Sequence, residues 1–533
     1  MKLLRIGTLL IVLCLPGLAR SAPPTEQAEL PGTLVIVGGG KMPDAVREEF
    51  FRHAGGKDRA KIVVIPTASA SADEAKETDG FLKQWKDLEP ASVTFLHTRD
   101  KAKADDAEFV KPIAEATAVW FSGGDQNRLT ATYGGTLVSK ELVKLFRRGG
   151  TIGGTSAGAA VISDLMIAGG TDEAKTAEGF GLLPGVVIDQ HFTQRKRIAR
   201  LHGAIEKNPG YVGLGIDEST AVIARGRTLK VLGEGTVTAT LAKSETKAVR
   251  DDVVKSGGEF DLFQLRRAAL ARAAKVQFPP AVPPVPDVAK GSLVIVGGGG
   301  AGPEIWKKFI DLAGGTDALL IVVPTSMEDP LPKNIVEVTL LRQNGATNVK
   351  VFHTRDRKAA DDPEFTKALT EAKGVWFGGG RHWRFADSYE GTLSEKRFHE
   401  VLARGGSIGG SSAGASIQAH YMPRGHPLGN TVVAAEGYER GFGFLPGCVV
   451  DQHFFARKRP ADMTGLMKQY PQLLGIGIDE GTAIIVKGTK AEVIGRSKVA
   501  FYDYSKGIPK TELDYEAVPS GVTYDLKARA VTK

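Results

Sequence analysis

Three stretches of the chain carry residue types that hydrolysis needs. Gly154-Thr-Ser156-Ala-Gly158 has the Gly-x-Ser-x-Gly spacing, follows the apolar run Thr151–Gly153 and precedes a stretch, Ala159–Met166, that reads as helical. That is the setting of a nucleophile elbow, a strained turn whose small residues let backbone approach backbone. Such a turn lifts the Ser156 hydroxyl above a sheet and aims the Ala157 N–H at a developing oxyanion. A second N–H is expected from Gly123-Gly124, with Gly124 the candidate, at the end of the run Ala118–Phe121. A serine needs a base, and His191 stands just past the apolar run Val186–Ile188. The base needs an orienting carboxylate. Asp217 and Glu218 both follow the run Val212–Ile216, and neighbouring side chains point to opposite faces, so spacing does not choose between them. No His-x-x-x-His pair or carboxylate cluster accompanies these residues, and no metal is expected.

The elements that must position them come in two copies. Gly32–Gly40 returns as Gly291–Gly299, His97-Thr-Arg-Asp100 as His353-Thr-Arg-Asp356, and Val119-Trp-Phe121 as Val375-Trp-Phe377. The elbow returns around Ser412, Asp189-Gln-His-Phe192 returns around His453, and Gly215-Ile-Asp-Glu218 returns ending in Glu480. Six matches in one order mean a duplicated domain, with a period far too long for a solenoid. The expected division is a first copy over residues 30–260, a Pro-rich linker over 275–290, a second copy over 291–505 and a tail over 506–533. Within the first copy, Leu34–Val37, Ile62–Ile65, Val93–Leu96, Ala118–Phe121 and Thr151–Gly153 read as strands, with helical patterns such as Asp44–His53 and Lys140–Arg148 between them. Strand-helix alternation predicts two tandem α/β domains, each a doubly wound parallel sheet with sites at the carboxyl ends of strands.

Composition limits the alternatives. The 533 residues are 42% apolar and 24% charged, ordinary for globular protein, and the net charge of +8 is mild for this length. Two cysteines rule out a disulfide framework. Gly297, Gly299 and Gly302 fit dinucleotide spacing, but Pro43 breaks it in the first copy and no ribose-binding carboxylate follows. A tight turn is the better reading, and no cofactor is expected. Arg195, Arg197 and Arg200 form a basic stretch without an aromatic platform, which argues against nucleic acid. Lys2, Arg5 and the apolar run Ile6–Leu18 read as an export signal over residues 1–21. No later segment is long and apolar enough for a membrane span, so a secreted or periplasmic location is expected.

The motifs Phe121-Ser-Gly-Gly-Asp-Gln126, Gly153–Ala159, Asp189-Gln-His-Phe192 with its spaced arginines, and Gly215–Glu218 together resemble the cyanophycinase and peptidase E group of serine peptidases. The resemblance implies a class I glutamine-amidotransferase-like, flavodoxin-like fold in each copy. It implies Ser156 as nucleophile, His191 as general base and acid, and Glu218 as its orienter. Gln126, Asp189, Gln190, Arg195, Arg197 and Arg200 carry over as substrate-binding positions. The implied substrate is a peptide-like polymer, cyanophycin, whose polyaspartate backbone bears arginine on its side-chain carboxyls. Its carboxylates suit arginine forks, and Asp125 or Asp189 would meet its guanidinium groups.

The second copy keeps Ser412, His453 and Glu480 but departs around them. Arg381-His382-Trp383 replace Asp125-Gln126-Asn127, and Asp462 stands at the position of Arg200. Six residues are inserted around Arg424–Gly429. Two inverted charges lead us to expect a weak or inactive second site. Members of the group pair as dimers, so the two copies are expected to pair within the chain. The competing readings are a related exported peptidase acting on aspartyl or β-linked peptides, and a non-catalytic binding protein with degenerate sites.

Overall fold

The computed structural model describes residues 28–510 and 512–532; the expected export signal lies outside them. In the first copy the apolar runs form strands β1 (Leu30–Val37), β2 (Lys61–Ile65), β3 (Ser92–Phe95), β4 (Ala118–Phe121) and β5 (Thr151–Thr155). They pair in parallel in the order β1-β5-β4-β2-β3. The runs are apolar without alternation because both faces are covered. Leu34 and Ile36 enter one core, while Val35 and Val37 enter the other. Helices Asp44–His53 and Thr78–Lys86 cover the second core with Val46, Phe50, Leu82 and Trp85. Helices Ala107–Glu115 and Leu137–Arg147 cover the first with Val110, Ile113, Leu142 and Leu145. Beyond β1, Thr220–Gly226, Thr228–Gly233 and Glu259–Asp261 extend the sheet antiparallel.

Three features differ from the sequence expectation. The runs that carry His191 and Glu218 are not in this sheet. Val186–Gln190 and Val212–Ile216 pair in parallel in a separate four-stranded sheet, completed by Thr236–Leu241 and Arg250–Lys255. Its Val186, Ile188 and Leu214 pack into the same core as Leu34 and Ile36, so an apolar run alone could not reveal which sheet it joins. The helix expected over Ala159–Met166 is also cut short: it spans Ala157–Ala160. Ser163 Oγ donates to the Ala160 carbonyl at 2.8 Å and ends it. Leu165–Gly169 then pairs with Lys175–Glu178 as a hairpin. Third, the segment set apart as a tail is structural. Glu516–Pro519 pairs with Lys498–Asp503, and Thr523–Asp525 pairs with Lys490–Gly495. Its apolar residues explain why: Val518 and Leu526 are fully buried, and Tyr524 stacks on Phe501 at 3.9 Å.

The second copy repeats the parallel order with Val288–Val296, Ser407–Ser411, Gly374–Phe377, Leu320–Val323 and Val349–Val351. Its first strand already includes residues 288–290 of the expected linker, with Val288 opposite Gly488. The copies touch through Arg227 and the helix Leu262–Ala273 of the first, against residues 383–390 and 436–440 of the second. Arg227 bonds Asp387 at 2.8 Å and Tyr438 Oη at 3.0 Å, and lies 4.2 Å from the Trp383 ring. Arg272 donates to Glu436 at 2.7 and 3.0 Å, and Gln264 donates to the Glu436 carbonyl at 2.6 Å. These surfaces do not correspond to each other by the repeat.

Candidate active site

β5 ends at Thr155, and Ser156 takes φ 53° and ψ −108°, a conformation that costs energy in any residue with a side chain. Two glycines permit it. A Cβ on Gly154 would lie 2.4 Å from Gly158, and one on Gly158 would lie 2.5 Å from the Phe121 carbonyl oxygen. The Ser156 N–H is tied to the Val37 carbonyl at 3.0 Å, which fixes the turn to the end of β1. Ser156 Oγ lies 2.8 Å from His191 Nε2, and His191 Nδ1 lies 2.5 Å from Glu218 Oε1. The choice left open by spacing thus falls on Glu218. Asp217 turns the other way and is fully engaged, accepting from the N–H and hydroxyl of both Thr193 and Thr236.

The glycine loop after β1 is what seats this histidine, a role that sequence reading missed. The His191 N–H donates to the Gly38 carbonyl at 2.7 Å. Gly39 has φ +114°, and a Cβ there would lie 2.3 Å from His191 Cε1. At Gly40 a Cβ would lie 2.9 Å from Glu218 Cβ. The signal was available, since three glycines recur after the first strand of both copies. Gly39→Ala is therefore expected to displace the imidazole and lower kcat by roughly 10²-fold, the cost of misplacing a catalytic group by about 1 Å. Circular dichroism should stay native; wild-type kcat in that variant would remove the glycine from this role.

Burial holds His191 below its ordinary pKa of 6.5. The Glu218 hydrogen bond opposes this, and the charges of Arg195 and Arg197 add to it. A base at this position would have to be the neutral imidazole, so activity is expected to be lost as pH falls through its pKa. The acid limb of kcat/KM should lie below pH 6.5. Arg195 is exposed, and its removal lifts a repelling charge from the imidazolium. The Arg195→Ala profile should shift its acid limb to higher pH; a shift to lower pH would contradict the assignment.

On the other side of the elbow, Ala157 is the first residue of the short helix. At Gly124, the expected second donor, a Cβ would lie 2.1 Å from the Ala68 carbonyl oxygen, so the loop packs too tightly there for any side chain. Gly123 is the residue beside the serine, where a Cβ would lie 3.5 Å from Ser156 Cβ. The loop is braced by the repeated His-Thr-Arg motif. His97 bonds Thr67 at 2.8 Å and Asp73 at 2.9 Å, and Arg99 donates to Asp73 and the Ser69 carbonyl. Ala68 between them accepts from the Asp125 N–H at 2.9 Å. Recurrence of His97-Thr-Arg in both copies was the only sequence sign of this brace. Gln126 donates to the Ile167 carbonyl at 3.0 Å, and Asn127 to the Ala168 carbonyl at 3.0 Å, tying the same loop to the hairpin.

The arginines divide. Arg195 is exposed near the imidazole. Arg197 is half-buried and donates to the Gln190 carbonyl at 2.7 Å and to its side chain at 2.6 Å. Arg200 is buried and forks onto both oxygens of fully buried Asp189. It also donates to the Gly170 carbonyl at 2.6 Å. Asp189 and Arg200, expected to face substrate, meet each other instead, because neither charge survives burial unpaired.

The second copy assembles the same triad. Ser412, at φ 57° and ψ −112°, lies 2.9 Å from His453 Nε2, whose Nδ1 lies 2.6 Å from Glu480. The expected charge inversion at Asp462 is offset. Arg424, from the insertion, bonds Asp451 at 3.1 Å and Asp462 at 2.6 Å, taking the place Arg200 holds in the first copy. Arg381 donates to the carbonyls of His426 and Gly429, so it braces the insertion. Trp383 stacks on Arg227 at the contact between copies. Among the described residues no group of three or more His, Cys, Asp or Glu could hold a metal ion, and no helix is long and apolar enough to cross a membrane.

Comparison with known proteins places the chain in a family. The profile of peptidase family S51 matches residues 34–232 and 293–494, one segment in each copy. A cyanophycinase of Synechococcus elongatus is 40% identical over 221 residues, covering 39% of this chain and 67% of that protein. A cyanophycinase of Geminocystis herdmanii (strain PCC 6308) is 34% identical over 221 residues, covering 39% of this chain and 80% of that protein. A solved peptidase from an acI-B1 Actinobacterium is 25% identical, with a TM-score of 0.35, covering 44% of this chain and 98% of that one. The family profile falls on most of both repeats, and with it the chain belongs to peptidase family S51, a tandem serine-type peptidase resembling cyanophycinase.

Proposed function

We propose that the first copy is a working serine peptidase centre that cleaves cyanophycin to β-aspartyl-arginine-type dipeptides. The observation that carries this is the Ser156–His191–Glu218 chain of contacts at 2.8 and 2.5 Å with Arg195 and Arg197 beside it. Ser156 Oγ attacks the scissile carbonyl while His191 Nε2 takes its proton. The carbonyl electrons move onto oxygen, where the Ala157 N–H and the Gly123 amide would receive the charge. Collapse expels the leaving amine, which takes the proton back from His191. A water, deprotonated by the same imidazole, then releases the acyl group and restores Ser156. Glu218 holds the imidazole in the tautomer that this cycle needs. Arg195 and Arg197 would fork onto substrate carboxylates, and the exposed carboxylate of Asp125 would meet a guanidinium.

Residues 1–21 would act as an export signal, placing this activity in the periplasm or outside the cell. The contacts of Arg227 and Arg272 with the second copy support an intramolecular pair of unlike faces. Purified protein incubated with cyanophycin and, separately, with aspartyl dipeptides tests the reading. Dipeptides of aspartate and arginine released from the polymer, seen by mass, are the expected result. Cleavage of aspartyl dipeptides alone would favour the related-peptidase reading, and turnover of neither would leave a binding protein. Amino-terminal sequencing of native material that began at Met1 would end the export proposal.

A further inference from the structure

We propose that Glu337 blocks the second catalytic centre, its carboxylate occupying the amide that would meet an oxyanion beside Ser412. The inference rests on the reading of Ser156 and Ser412 as equivalent nucleophiles. The second triad matches the first in distance and in the strained elbow, so nothing within it accounts for a difference in activity. The difference lies next to it. Gly379 is the counterpart of Gly123, and a Cβ there would lie 3.7 Å from Ser412 Cβ. The Gly379 N–H donates to Glu337 Oε1 at 3.3 Å. Glu337 projects from the helix Val336–Gln343 and is only 9% exposed. Its Oε2 is buried with no hydrogen-bond partner. Among the described residues no ion pair neutralises it, so the unpartnered oxygen is a cost that asks for an explanation.

One substitution makes room for the arrangement. Ser122 of the first copy is replaced by Gly378, where a Cβ would lie 3.0 Å from Glu337 Oε1. In the first copy the corresponding helix, Thr78–Lys86, sends no carboxylate to the Gly123 amide among the described hydrogen bonds. The rest of the second site has not decayed. Arg424 and Arg459 hold Asp451 as Arg200 and Arg197 hold Asp189, and Arg381 closes the insertion over the same end of the sheet. The block is therefore local. Acyl transfer at Ser412 would place a negative oxygen where an amide is already bonded to a negative carboxylate. Both the lost donor and the repulsion act only as that charge develops, so they slow the chemical step. Loss of one oxyanion donor alone costs about 10²–10³-fold in kcat.

The test compares the two serines within one molecule. Full-length protein is reacted with an alkyl fluorophosphonate, in which the serine oxygen bonds phosphorus, fluoride leaves and the hydroxyl proton passes to the histidine. Label on the Ser156 and Ser412 peptides is followed by mass over time. In wild type Ser156 should label at least about 10²-fold faster than Ser412. Glu337→Gln and Glu337→Ala should each speed Ser412 by roughly tenfold or more and leave Ser156 unchanged, which also reports that the fold is intact. Equal labelling of both serines in wild type would overturn the block. So would slow labelling of Ser412 in both variants while Ser156 still reacts. Failure of Ser156 itself to label would instead remove the serine-peptidase reading on which the block rests.

Discussion

Ser156→Ala is expected to lower kcat on the cleaved polymer by at least about 10³-fold, with little change in KM or in the melting curve. In the proposed cycle the hydroxyl is the atom that attacks, and among the described residues the His191 ring nitrogens bond only Ser156 and Glu218. Residual rate would come from the oxyanion donors and from binding. His191→Ala should fall as far, and the double variant little further, because the two residues act as a unit. Glu218→Gln keeps the shape but offers an amide where the imidazole needs an acceptor, so a smaller loss is expected. The measurement is steady-state kinetics on one substrate across the four variants. Additive losses in the double variant, or a Ser156→Ala enzyme within tenfold of wild type, would mean that another nucleophile does the work.

The parts of the molecule that the sequence made legible are those that one residue type can perform. An elbow needs small residues at Gly154 and Gly158 for a local reason, the close approach of backbone to backbone, and the motif states that reason. The strands Ala118–Phe121 and Val212–Ile216 are uninterrupted apolar runs, and their ends were readable to the residue. What was not legible depends on partners distant in sequence. Val186–Gln190 joins a second sheet because of the strand it meets, Val212–Ile216, and its own residues would suit either sheet. Gly39 looked like a turn glycine, and its real constraint, His191, lies over a hundred and fifty residues away. Asp462 looked like an inverted pocket charge because Arg424 comes from an insertion that no repeat comparison could align. Glu337 was invisible for the same reason. Its meaning depends on the Gly379 amide, and a glutamate in an amphipathic helix otherwise reads as surface.

Arg200→Ala should be among the most damaging single substitutions for the stability of the first copy. Asp189 is fully buried, and Arg200 is 4% exposed and forks onto it. After truncation the carboxylate would keep only Arg197, at 3.4 Å. A buried charge stripped of its main partner costs about 3–5 kcal/mol. For a unit of this size that is a fall in Tm on the order of 10 °C. Asp189→Leu with Arg200→Met, which removes both charges at similar volume, should recover most of it, since paired burial offsets rather than adds. Activity should not recover with it. Arg200 also holds the Gly170 carbonyl at 2.6 Å, and through it the hairpin whose Ile167 and Ala168 carbonyls anchor Gln126 and Asn127. Those two residues begin the helix that follows the oxyanion loop, so Arg200 acts on the chemistry through position alone. Arg200→Lys keeps the charge but offers a point charge in place of the fork, and should give intermediate stability with a larger loss in kcat than in KM. Arg424→Ala is the internal control: it strips Asp451 in the second copy, and it should lower stability while leaving Ser156 turnover unchanged. A melting curve for Arg200→Ala within about 2 °C of wild type would show that the ion pair does not carry this load.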